Sequence, residues 1–140
     1  MILVTGASGF LGSAIVRKLI NRKHVIRGMV RKTSDCRNLE GLDIDIVKGD
    51  LLDKTSLRKV LRECSGLFHV AADYRLWAPD PVPVFNANVL GTKTILTVAK
   101  EYDIKRIVYT SSVAVLGNLP GHLSANENTP VSFQDMIGPY

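Results

Sequence analysis

"MILVTGASGFLGSAIVRKLI", residues 1–20, is the stretch on which the reading of the whole chain depends. It opens with a short apolar run, Ile2 to Val4, of the kind found in a parallel strand buried on both faces. The run meets Gly6, Gly9 and Gly12 in the spacing G-x-x-G-x-x-G. Beyond the glycines, Leu11, Ile15 and Leu19 recur at helical spacing with Val16 and Ile20 beside them, while Arg17, Lys18, Asn21 and Arg22 take the other face. Strand, turn and helix therefore follow one another directly. Such a turn needs Gly6 for a tight reversal, Gly9 for open backbone and Gly12 for close packing of the helix. The first N–H groups of the helix, Phe10 and Leu11 among them, have no partner within it and favour an anion. Between a strand and a helix the triplet reads as a pyrophosphate-binding turn, with a purely structural turn as the alternative.

Working outward, "HVIRGMV" (24–30), "IDIVKG" (44–49), "GLFHVAA" (66–72) and "RIVYTSS" (106–112) read as four more strands. "SLRKVLREC" (56–64) reads as a helix. A longer helix is expected from about Val84 to Tyr102, after the prolines at 79, 81 and 83, which are excluded from its interior. Strands alternating with helices imply right-handed crossovers and a parallel sheet covered on both faces. The expected fold is α/β: a Rossmann-type doubly wound sheet of order 3-2-1-4-5, with residues 1–140 forming one NAD(P)-binding domain. After Ser112 the pattern gives way to "GNLPGHLSANENTP" (117–130), a long loop of the kind that serves function in compact α/β domains.

Composition excludes several other classes. With 46% hydrophobic and 22% charged residues and no repeat or low-complexity tract, the 140-residue chain is neither disordered nor a solenoid. Cys36 and Cys64 lie outside any C-x-x-C pair and read as buried reduced thiols; no cluster has metal-ligand spacing, so no metal is expected. His24, His69 and His122 share no spacing and read as structural histidines. The N-terminus has neither a basic leader nor an apolar run long enough for a membrane span, and a cytoplasmic protein is expected. Residues 1–40 hold eight Lys/Arg against Asp35 and Glu40, a balance of +6 within a net charge of +5. No aromatic residues interleave with this basic end, so nucleic acid is not the expected partner; a small phosphorylated ligand accounts for it, as does a solvated helix face.

The end of the second strand bears on the choice of cofactor. An acid there would accept hydrogen bonds from a ribose 2′-OH, whereas arginine would pair with a 2′-phosphate. "GMVRKTSD" places Arg31 and Lys32 at that point and no acid before Asp35. NADP(H) is the favoured cofactor, with NAD(H) open should Asp35 turn toward the ribose.

"TGASGFLGS", "VKGDLLD", "FHVAA", "NVLGT" and "VYTSSVAVLG", in this order, resemble the extended short-chain dehydrogenase/reductase superfamily. "FHVAADYRLWAPDP" is similar to its branch of dihydroflavonol-reductase-like proteins and hopanoid-associated sugar epimerases. The resemblance spans the chain but only the N-terminal part of such enzymes, so a fold truncated before the later strands, an exposed apolar edge and poor solubility are expected. It implies that Gly6, Gly9, Phe10, Leu11 and Gly12 lie on the pyrophosphate, that Asp50 and Leu51 border the adenine, and that Ala71 and Ala72 lie beside the nicotinamide ribose. Asn88 and Gly91, poor helix formers inside a helix, read as structural, Asn88 bonding a neighbouring loop and Gly91 letting its helix approach the sheet. By the resemblance, Ser112 becomes the hydroxyl that bonds the substrate oxygen and Ser111 the one at the cofactor side, the reverse also being open.

Tyr140, 28 positions beyond Ser112, matches the superfamily's proton-transferring tyrosine, whose lysine would fall four places later. Tyr74, Arg75 and Trp77 could shape a substrate pocket, Trp77 being equally open to ordinary packing, while Tyr102 and Tyr109 read as core. The function implied for the full-length protein is that of an NAD(P)-dependent oxidoreductase or epimerase acting on a secondary alcohol or ketone of a small-molecule substrate, with a homodimer allowed. The 140-residue chain by itself is expected to be inactive, a silent nucleotide-binding fragment or interaction module being the alternative.

Overall fold

β1 (Ile2–Thr5) is the middle strand of a five-stranded sheet in which every pairing is parallel and the order is β3-β2-β1-β4-β5. The other strands are β2 (Ile26–Val30), β3 (Asp45–Lys48), β4 (Gly66–His69) and β5 (Arg106–Tyr109). The structure, a computed structural model, describes residues 1–117, 119, 121, 123–136 and 138. Strand order and fold class match the expectation. The strands themselves are shorter than the quoted runs, β2 at its start, β4 and β5 at their ends and β3 at both, because a ladder stops where the next strand stops, whereas apolar sequence runs on into the packed connections.

Side chains alternate across the sheet and build a core on each face. On one face Leu3, Met29 and Leu67 pack with Leu57 and Leu61 of α2 (Lys54–Leu61) and with Ile95, Val98 and Ala99 of α4 (Gly91–Glu101). On the other, Val4, Ile26 and Val30 pack with Val16 and Leu19 of α1 (Phe10–Asn21). Both faces are thus covered, as a doubly wound sheet requires.

Three local readings are corrected. α2 begins at Lys54 rather than Ser56, because the Asp53 carboxylate accepts the N–H groups of Thr55 at 2.9 Å and Ser56 at 3.2 Å and so caps the helix earlier. The long helix begins at Val82 and admits Pro83 in its first turn, where the missing N–H would have had no partner. That helix is also not uniform: α3 (Val82–Phe85) passes through a wider π turn (Asn86–Leu90) before α4, which ends at Glu101. Glu101 then ties α4 to α2 by ion pairs with Lys54 at 2.7 Å and Arg58 at 2.9 Å.

Exposure corrects others. Cys64 is buried, but Cys36 is only half-buried. Tyr102 and Tyr109 are exposed rather than core, Tyr109 because it lies on an edge strand whose four residues are all exposed; Trp77, open to either reading, is exposed. An exposed apolar edge is present at Ile107 and Val108 of β5. Among the described residues, no helix is long and apolar enough to cross a membrane.

Candidate functional site

Because all five strands are parallel, the segments that follow them share one edge of the sheet. Gly6 follows β1, Arg31 follows β2, Asp50 and Leu51 follow β3, Ala71 and Ala72 follow β4, and Ser111 and Ser112 follow β5. The fold therefore gathers the expected site residues at one carboxyl edge. β1 is the switch point, since the chain leaves it toward β2 on one side and returns to β4 on the other. Tyr140 and His122 lie outside the described residues.

The glycine turn is held by backbone contact. Gly6 has φ +64°, and a Cβ there would stand 2.9 Å from the Ala71 Cα. A Cβ on Gly12 would stand 2.0 Å from the Gly6 carbonyl oxygen, so any side chain there would drive α1 off the turn. Gly9 caps α1 with extended backbone, and the first bond back along the helix is from the Ser13 N–H to the Gly9 carbonyl at 2.9 Å. That leaves the N–H groups of Phe10, Leu11 and Gly12 ahead of it, with the Phe10 side chain 93% exposed and out of their way. Ala71 is half-buried and Ala72 exposed, so the wall beside the turn is built of small side chains.

At the end of β2, the Arg31 N–H is bonded to Ser34 Oγ at 3.0 Å in a turn, and its guanidinium is exposed. No carboxylate pairs with it among the described residues. Asp35, the acid that could have served a ribose, is held by Arg37 Nε at 2.7 Å, and this bond keeps its carboxyl below the usual range. Asp35, Arg37, Asn38 and Ser8 line a polar hollow of about 280 Å³. Asn38 donates to the Ser8 carbonyl at 2.9 Å, joining this loop to the glycine turn. Sequence reading missed Arg37 and Asn38, because Asn38 meets the turn only through folding, 30 positions away in the chain.

The remaining edge is organised by side chains. Asp50 accepts the Leu52 N–H at 2.9 Å, and Leu51 is half-buried, its Cβ 2.9 Å from where a Gly91 Cβ would lie. Gly91 thus makes room for Leu51 in the loop after β3, not for the sheet itself. Asn88, in the π turn, accepts the Asp73 N–H and donates to the Asp73 carbonyl, both at 2.8 Å, as expected of a residue tying down a loop. Arg75 is spent on Asp73, at 2.6 Å, which lowers the Asp73 pKa; the charge of Arg31 contributes last. Ser112 is half-buried and its Oγ accepts the Ala114 N–H at 3.2 Å, which leaves its own proton to give. Ser111 is exposed. Val82, Phe85, Val89, Phe133 and Met136 line an apolar hollow of about 480 Å³, with Asn88 also on its wall.

Beneath the cleft lies a group that sequence reading undervalued. His69 is fully buried and bonded at Nδ1 to Thr5 Oγ1 at 2.9 Å and at Nε2 to Thr92 Oγ1 at 3.0 Å. Thr5 Oγ1 also accepts the N–H groups of Val70 at 3.0 Å and Ala71 at 3.1 Å. His69 is therefore structural, as expected, but it stands directly under the glycine turn. Burial pushes its pKa down to about 4.

Comparison with known proteins agrees with this arrangement. The family model described as "NAD dependent epimerase/dehydratase family" matches residues 2–140. A Synechocystis protein named "Putative dihydroflavonol 4-reductase" is 43% identical over 137 residues, covering 98% of this chain and 40% of its own length. The crystal structure of gox2253 is 47% identical with a TM-score of 0.92, covering all of this chain and 42% of that one. A short-chain dehydrogenase/reductase superfamily protein from Agrobacterium tumefaciens, solved with bound NAD, is 32% identical with a TM-score of 0.83, covering all of this chain and 40% of that one. The chain thus spans about two fifths of the length of these relatives. Sheet order, glycine turn and a match along nearly every residue coincide, and the chain belongs to the NAD-dependent epimerase/dehydratase family of short-chain dehydrogenases/reductases.

Proposed function

We propose that the chain is the dinucleotide-binding part of an NADP(H)-dependent oxidoreductase acting on a secondary alcohol or ketone. The observation that carries this is the glycine turn, closed against Ala71 at the switch point and opening the first N–H groups of α1 to the carboxyl edge. The residues present fit a dinucleotide: side chains are excluded at Gly6 and Gly12, the N–H groups of Phe10 and Leu11 precede the first helical bond and meet no capping side chain, and small residues stand at 71 and 72. Gly9 to Gly12 would hold the pyrophosphate, Asp50 and Leu51 would border the adenine, and Ala71, Ala72 and Ser111 would border the nicotinamide ribose.

Preference for NADP(H) rests on Arg31, which has no carboxylate partner among the described residues, and on Asp35, which is taken by Arg37. The bound nicotinamide supplies the hydride acceptor or donor. Ser112 gives its proton in a hydrogen bond to the substrate oxygen, and Tyr140 exchanges the proton that leaves or joins that oxygen. The apolar hollow at Val82, Phe85 and Phe133 favours a substrate with a hydrophobic body, and so the reductase side of the family over sugar epimerisation.

Titration of the protein with NADP and NAD tests the reading. Arg31→Asp is expected to weaken NADP by roughly a hundredfold and NAD by less than threefold, since a charge-assisted pair is lost and a repulsion gained. Equal loss of both removes Arg31 from the 2′-phosphate site, and absence of binding by the wild-type protein defeats the proposal.

A further inference from the structure

Two stretches of the sequence, "FHVAA" and "NVLGT", contain residues that cofactor binding as described does not use, namely His69 and Thr92. Counting protons around them fixes their roles. A hydroxyl oxygen has two lone pairs and one hydrogen. Both lone pairs of Thr5 Oγ1 are taken by the N–H groups of Val70 and Ala71. Its hydrogen must therefore point to His69 Nδ1, which is an acceptor without a proton of its own. With Nδ1 bare, the neutral ring carries its proton on Nε2 and donates it to Thr92 Oγ1. The other tautomer would bring a third donor to Thr5 Oγ1 and leave the Thr5 hydrogen without an acceptor.

We propose that Thr92 of α4 acts through the Nε2–H tautomer of His69 to aim the Thr5 hydroxyl, and so positions the contact between Gly6 and Ala71 on which the cofactor cleft depends. Thr5 immediately precedes Gly6, and the N–H it accepts from Ala71 belongs to the residue that Gly6 abuts at the 2.9 Å approach. The ring is held in this arrangement by full burial and by stacking on Tyr109 of β5, centroids 5.4 Å apart at 15°. Thr92, His69 and Thr5 are positioning residues; the groups that meet the ligand are Gly6 and Ala71.

The inference rests on the dinucleotide reading above, and the test separates the two. Nitrogen NMR of the His69 ring at neutral pH is expected to show a protonated Nε2 and a bare Nδ1; the opposite tautomer overturns the proposal whatever the protein binds. Thr92→Val removes the hydroxyl while keeping the shape, and Thr92→Ser restores it. Dissociation constants for NADP and NAD are expected to rise about five- to tenfold in Thr92→Val, the size of one lost buried hydrogen bond, and to recover in Thr92→Ser. ADP shares the glycine turn with the dinucleotides but does not extend to Ala71 and Ala72, and its dissociation constant is expected to rise in Thr92→Val by less than threefold, a smaller loss than theirs, and to recover in Thr92→Ser. Equal losses for ADP and for the dinucleotides, or no loss at all, overturn the positioning role. If the wild-type protein binds neither dinucleotide, the proposed function fails and the positioning role with it, while the ring spectrum still decides the tautomer.

Discussion

Thr5 and His69, at the ends of the two central strands, are closed to solvent, whereas all four residues of β5 are exposed and so is Ser111 beyond them. Both regions lie at the same carboxyl edge of the sheet, yet they are built by different means. In the centre, the shape of the turn is set by missing Cβ atoms and by buried hydrogen bonds that allow one arrangement. At the β5 edge, Ser112 is held by one local bond to Ala114. A rigid interior carrying a lightly held rim is how one fold accommodates different chemistries, because rim residues can be exchanged without unfolding the scaffold.

This contrast can be broken at several points. Gly12→Val places atoms against the Gly6 carbonyl, which cannot yield, and is expected to cost at least about 3 kcal/mol of stability, the upper end of overpacking. An unchanged urea midpoint would show that the centre is not so rigid.

Acid is the next probe. The pKa of His69 lies at about 4 in the fold against 6.5 when free, so the unfolded chain binds the proton more readily. The stability His69 contributes is complete above about pH 6.5 and falls away as pH drops toward 4, by about 3 kcal/mol in all. Urea midpoints that stay level between pH 6.5 and 4.5 would contradict the buried neutral ring.

Asn88→Ala removes both bonds to the Asp73 backbone, and a loss of about 1 to 2 kcal/mol is expected. Because this loop borders the centre, a loss as large as that of Gly12→Val would extend the rigid region to it. Ser112→Ala is expected to move stability by less than about 0.5 kcal/mol, as for a surface site. On the proposed role of Ser112, the same change is expected to lower turnover by about a hundredfold, as when a donor to a developing oxyanion is lost. A large drop in melting temperature on Ser112→Ala would erase the distinction between rim and interior.

Much of the fold was legible because its determinants are local. The glycine spacing, the apolar runs and the helical periodicity each lie within about 20 residues, and together they predicted the strand order. Helix starts were less so: Pro83 reads as a barrier in sequence, although its position in the first turn removes the objection, and the cap at Asp53 lies just outside the apolar pattern. The candidate site was legible wherever a residue directly follows a strand, since parallel strands bring all such residues to one edge. Arg37 and Asn38 were not, because their places depend on a loop that folds back on the glycine turn. Nor was the exposure of Tyr109, which depends on whether its strand is central or lateral.

The sequence by itself determined that a strand, a glycine turn and a helix begin the chain, that a parallel doubly wound sheet follows, and that Arg31 and the two serines fall at strand ends. Only the tertiary structure decided that Asp35 is engaged by Arg37, that Gly91 makes room for Leu51, and that His69 joins Thr5 to Thr92. Periodicity and turn chemistry act between near neighbours along the chain. Thr5, His69 and Thr92 lie 64 and 23 positions apart, and a hydroxyl or a ring acquires its direction only when packing brings partners from separate elements within 3 Å.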